Sequence, residues 1–158
     1  MTTAMMTGLT GRLFEWSVLG RELVTPLSLR GYMSYQKAMA LARRLARWDP
    51  TDPEPQMANT LHFYVCEALG VECYSEVRFY SALGTPLDLF HGVDCWIEVR
   101  GRVVTIDLTA NGHKDYHKAD VVVHPEDLED GGKGIARRIA SFLQPPSRSR
   151  KEFIYAYA

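Results

Sequence analysis

The residues with the most chemistry to offer lie in one stretch, residues 92–112, GVDCWIEVRGRVVTIDLTANG. Two runs of period-two patterning flank Arg100-Gly101, which predicts a β-hairpin. In the first run Val93, Cys95, Ile97 and Val99 share one face, and Asp94, Trp96 and Glu98 share the other. In the second, Val104, Ile106 and Leu108 oppose Val103, Thr105, Asp107 and Thr109. A two-residue loop at Arg100-Gly101 pairs Val99 with Arg102, Ile97 with Val104 and Cys95 with Ile106. A four-residue loop keeps that pairing, whereas a three-residue loop shifts it. The favoured register sets Asp94 opposite Asp107, with Cβ atoms roughly 4.5–5.5 Å apart. Like charges so placed weaken a sheet unless a cation, a shared proton or a nearby Lys or Arg offsets them. A divalent cation suits the all-oxygen donor set, since Mg²⁺ takes one or two carboxylates and keeps waters or phosphate oxygens. The bland alternative is that the two side chains splay apart at a wet sheet edge.

Several elements must position this hairpin. Ser34 is placed to cap a helix reaching to about Trp48, with Tyr35, Ala38, Met39, Ala42, Leu45 and Ala46 as its apolar stripe. Asp52 and Pro53 mark the start of a second helix, which runs to Leu69 and stops at Gly70. Residues 71–80 alternate as a strand, 83–90 form a turn or loop, 110–119 have room for a short helix, and 121–124 form a short strand. A last helix spans about 134–143 and ends at Pro145-Pro146. Residues 1–33 carry Leu13, Phe14, Trp16, Val18 and Leu19, which need cover, but Gly8, Gly11, Gly20 and Pro26 interrupt any long element. The expected organisation is an N-terminal helical arm or subdomain (1–52), an α/β core (53–144) with a small mixed β-sheet between a leading and a closing helix, and a basic tail (145–158).

This arrangement resembles the PD-(D/E)XK, or restriction-endonuclease-like, nuclease superfamily. There an Asp begins one strand, an acid on the next strand is followed at +2 by Lys, and a leading helix often adds a Glu. Gly92-Val93-Asp94 looks like the first acid, Ile106-Asp107-Leu108-Thr109 like the second with its +2 position, and Glu67 like the helical Glu. The resemblance covers roughly residues 53–143 and departs from the pattern at Thr109, where the family has Lys. Lys114 and Lys118 are the candidates to replace that ammonium. The resemblance implies phosphodiester hydrolysis assisted by Mg²⁺ or Mn²⁺ held by Asp94 and Asp107, with Lys114 or Lys118 orienting the attacking water. It implies a nucleic-acid partner, DNA in the first instance, or a catalytically degenerate relative that only binds. Many relatives form dimers.

CWIEVRGRVVTIDLT also resembles the transglutaminase-like cysteine-protease fold, which would make Asp107 the acid of a Cys-His-Asp triad. Asp94 stands where that family commonly has His, and residues 53–60 contain no Cys, so this resemblance implies a binding module without an active thiol. His113 and His117 match no standard zinc spacing. Trp96 fits either a sheet cover or a base-stacking platform.

Composition bounds the rest. The chain has 158 residues, 46% hydrophobic and 23% charged, as in an ordinary globular domain. The net charge of −1 hides an uneven layout. Lys and Arg outnumber Asp and Glu by seven to three in residues 1–50 and by six to one in 132–158, whereas the middle has five against fifteen. Basic ends around an acidic centre suit a polyanion held beside a metal, although solvated faces of mixed sign would read the same way. Three cysteines make no disulfide framework, and with no secretory pattern or spanning segment the expected compartment is cytoplasmic, without a membrane partner.

Overall fold

The computed structural model describes residues 10–70, 74–110 and 118–144. It is a mixed α/β fold built on a four-stranded mixed sheet. Helix α1 is Gly11–Leu19, the element hidden among the N-terminal glycines. Its N-cap, Thr10, accepts a hydrogen bond from the Leu13 N–H, and Gly20 at φ +77° ends it. Helix α2, Tyr35–Arg44, is capped by Ser34 as expected but ends at Leu45, short of the expected Trp48. Helix α3, Gln56–Leu69, stops at Gly70 in the left-handed region, also as expected. Its start differs. Pro55 rather than Asp52 is the N-cap, because each proline of the Pro53-Glu54-Pro55 run drives its predecessor out of helical geometry. Asp52 instead accepts a hydrogen bond from the Asn59 side chain.

Strand β1 is Val77–Ser81, preceded by a 3₁₀ turn at Tyr74–Glu76. The expected loop at 83–90 contains a helix, α4, Pro86–His91. Thr85 at its N-cap and Pro86 at its first turn are a start signal that the loop reading passed over. Strands β2 (Cys95–Val99) and β3 (Arg102–Leu108) follow, then β4 (Val121–Val123) and helix α5 (Lys133–Leu143). The sheet order is β1-β2-β3-β4, with the first two pairings antiparallel and β3–β4 parallel. The hairpin register is the expected one: Val99↔Arg102, Ile97↔Val104 and Cys95↔Ile106. Arg100 and Gly101 both have positive φ, the geometry of the two-residue turn whose twist matches its strands.

Each face of the sheet buries its own cluster. Phe79, Cys95, Ile97, Val104 and Ile106 pack with Leu61 and Val65 of α3, Ile139 of α5, and Phe14, Val18 and Leu19 of α1. On the other face Trp96 and Tyr80 stack with ring centroids 4.8 Å apart beneath Ala38, Met39 and Ala42 of α2. Helices of the expected N-terminal arm thus contribute to the interior on both faces. Trp96 is fully buried, so it is a sheet cover. The outer edge of β1 is occupied: the Trp48 indole N–H donates to the Phe79 carbonyl, and the Phe79 N–H donates to Pro50.

Gly84 (φ +77°) ties the turn before α4 to the chain leaving α1, because a Cβ there would lie 2.7 Å from Cβ of Glu22. Gly84→Ala is expected to lower stability by about 1–2 kcal/mol through its left-handed backbone, and by more if the 21–24 segment cannot yield. Urea denaturation measures this, and an unchanged midpoint would show that the turn relaxes freely.

Candidate acidic site

The polar residues at the open end of the hairpin face one another as the register requires. The Asp94 N–H donates to the Ile106 carbonyl, and an Asp94 carboxyl oxygen accepts the Leu108 N–H at 2.7 Å. Asp94 and Asp107 are 3% and 7% exposed and hydrogen-bond through their side chains. The splayed, wet alternative is therefore not the arrangement found. Burial pushes the Asp94 carboxyl well above the usual carboxylate range, helped by the bond to Asp107, the charges of Glu15 and Asp88, and a bond to Asp88. The Leu108 N–H favours the charged form, but burial beside three acids outweighs it. Without a cation, burial among these acids therefore favours the protonated form of the Asp94 carboxyl. Protonation of one carboxyl is one way to offset the repulsion foreseen from the register, and a bound cation is another.

Glu15 and Asp88 complete the cluster. Glu15 projects from α1, half-buried, and is raised to about 7, chiefly by burial and then by the charges of Asp88 and Asp107. Asp88, on α4, is raised mainly by burial, although it accepts the Gly84 N–H at 3.0 Å and a hydrogen bond from Asp94. Sequence reasoning missed both residues. A legible signal existed for Asp88, three residues after the Thr85 cap in a start pattern. For Glu15 there was only its place beside Phe14 and Val18 on a short helix.

The helical acid expected from the resemblance, Glu67, is not part of the site. It sits on the solvent side of α3 and accepts a hydrogen bond from the Tyr74 hydroxyl. Leu61, Val65 and Cys66 take the buried side of that helix and turn Glu67 outward. Lys118 lies against Gly92, and its ammonium donates to the Phe90 carbonyl at 3.4 Å. Lys114 lies outside the described residues, as do His113 and His117. Thr109, the residue at +2, is buried, and its N–H is tied to Val123 of β4.

The donor set is entirely carboxylate oxygen, which suits Mg²⁺ or Mn²⁺ rather than a soft metal. Among the described residues no three acidic, histidine or cysteine side chains are arranged to hold a metal together. An ion held here would have to take the two carboxylates of Asp94 and Asp107 and keep its other positions for water or phosphate. Thiol chemistry has weaker footing. Cys95 is fully buried, and burial pushes the Cys66 thiol up to about 12, with Sγ 3.9 Å from the His62 ring. His62 is engaged with the Val77 carbonyl, and His91 donates to the Met33 carbonyl. Asp107 thus faces a carboxyl where a triad would need an imidazole.

These shifts make stability depend on pH. Asp94, Asp88 and Glu15 bind protons more tightly in the folded chain than in the unfolded one. Their contribution is fully present below the unfolded carboxylate range and is lost as pH rises through the folded values, near 7 for Glu15 and higher for Asp94. His62, lowered by burial, acts in the opposite direction around its ordinary value. Thermal denaturation in EDTA is expected to show a smaller fall in Tm from pH 5 to pH 8 for Asp94→Asn than for the wild type. The neutral amide replaces a protonated acid at little loss. Parallel curves for the two proteins would contradict the raised Asp94 carboxyl.

Fold and site together define an α/β domain with a cluster of buried and half-buried carboxyls at one end of its central hairpin. Comparison with protein-family models, with curated proteins and with solved structures found no match. No helix among the described residues is long and apolar enough to cross a membrane.

Proposed function

We propose that this chain is a divergent nuclease of the PD-(D/E)XK type, hydrolysing phosphodiester bonds with Mg²⁺ or Mn²⁺. The observation that carries the reading is the buried Asp94–Asp107 pair facing each other from neighbouring strands, where burial disfavours two uncompensated charges. When bound at Asp94 and Asp107, the metal supplies Lewis acidity and lowers the pKa of a coordinated water. Glu15 and Asp88, at the more exposed margin, bring further negative charge that favours a divalent over a monovalent ion. Lys118, packed against Gly92 where α4 ends, and Lys114 are the candidates to orient water or to offset charge on the leaving oxygen. The exposed Lys37 and Arg44 of α2 and Lys133, Arg137 and Arg138 of α5 offer cations for flanking phosphates. The proposed substrate is DNA, the proposed compartment cytoplasmic, and a homodimer accords with the resemblance.

Thr109 in place of Lys favours a second reading, a relative that binds nucleic acid without cutting it. Incubation of the purified chain with plasmid and with single-stranded DNA, in Mn²⁺ and in EDTA, separates the two. Cleavage in Mn²⁺ alone is the expected result. Retention of DNA without cleavage supports the binding reading, and neither binding nor cleavage overturns both.

A further inference from the structure

We propose that the exposed rings of Tyr32 and Phe90 form a stacking platform for unpaired bases, which makes single-stranded nucleic acid the preferred substrate of this domain. This inference deepens the nuclease reading, and it stands on surface features outside the acid cluster. Tyr32 is 72% exposed and Phe90 38%. Their rings meet edge to face with centroids 5.6 Å apart, and the Tyr32 ring lies 5.8 Å from that of His91. His91 is fixed from below by its bond to the Met33 carbonyl and by the Tyr35 ring, so the two outer rings rest on a braced support. Leu89, 60% exposed, extends the apolar surface on α4.

Charge and continuity choose the occupant. Lys118 anchors on the Phe90 carbonyl and places a cation beside the ring. Exposed Arg30, whose Nε donates to the Thr25 carbonyl, adds a second cation two residues before Tyr32. On the Tyr35 side the Asp120 carboxylate is engaged by the Thr105 N–H and hydroxyl. Aromatic faces with flanking cations match alternating bases and phosphates, and stacking a base on a ring tightens binding about tenfold whatever the sequence. A duplex hides its base faces, so this surface serves a single strand. Helix α4 carries both features on different sides: Asp88 turns inward to the acid cluster, Phe90 two residues on is exposed, and Gly92 caps the helix before Asp94.

The test is fluorescence anisotropy of labelled dT12 with the full chain in EDTA, where binding is read without cleavage. The expected result is salt-sensitive binding at least tenfold tighter than to a 12-base-pair duplex. Tyr32→Ala should weaken it about tenfold and Tyr32→Phe should restore it. Equal affinity for the duplex, no effect of Tyr32→Ala, or an altered oligomeric state of that variant by sedimentation would overturn the platform; the last would make the patch a self-association surface. Cleavage of duplex DNA in Mn²⁺ without dT12 binding removes the platform and leaves the nuclease. Binding of dT12 without cleavage of any substrate keeps the platform and removes the nuclease.

Discussion

Asp94→Asn and Asp107→Asn are each expected to lower Mn²⁺-dependent DNA cleavage by at least about 10²–10³-fold, while the metal-free proteins remain folded. Asn keeps the shape and accepts hydrogen bonds, so the Leu108 N–H retains its partner at position 94. The lost property is the charge that binds the ion. At pH 8, Asp94→Asn should melt higher than wild type in EDTA, because the amide spares the folded chain from retaining a proton that the unfolded carboxyl releases. In Mn²⁺ the order should narrow or reverse, since only the wild type gains stability from metal binding. Loss of activity with gain of metal-free stability separates an ion site from a structural pair, whose disruption would lower both. Glu15→Gln is expected to act in the same direction and more weakly, since Glu15 is half-exposed. Cleavage rates and melting curves over a Mn²⁺ series, with all three variants in parallel, supply the check. Full activity in Asp107→Asn would end the metal proposal.

The second large effect concerns α1. Phe14 is fully buried in the cluster that joins α1 to α3 and the sheet. Phe14→Ala is expected to destabilise the chain by about 3–5 kcal/mol, the range for emptying a buried aromatic site. Leu13, next to it and 46% exposed, should lose no more than about 0.5 kcal/mol as Leu13→Ala. Urea denaturation with unchanged m-values gives both numbers. The contrast matters for function because Phe14 seats the helix that carries Glu15. A small effect of Phe14→Ala would mean that α1 is a detachable arm and that Glu15 is no fixed part of the acid cluster.

The hairpin was legible because its information is local. Alternation assigns each side chain a face, and the Arg100-Gly101 turn sets the register, so the position of Asp94 beside Asp107 followed from counting residues. The start of α2, the limits of α5 and the stop of α3 at Gly70 were readable for the same reason, since caps and helical stripes lie within one or two turns of what they control.

What surrounds the aspartates was decided by packing between segments far apart in the chain. Glu67 matched the expected position of a helical acid, yet α3 buries its Leu61–Val65 side and turns Glu67 to solvent, while a nine-residue helix fifty residues earlier supplies Glu15. Asp88 arrives from a short helix between strands, and Lys118 comes to its place against Gly92 from beyond β3. Residue type and spacing determined that two carboxyls would share one side of a sheet. Whether water, a cation or a proton would compensate them depended on how much low-dielectric protein closed over them, and burial of that kind exists only once distant helices have packed.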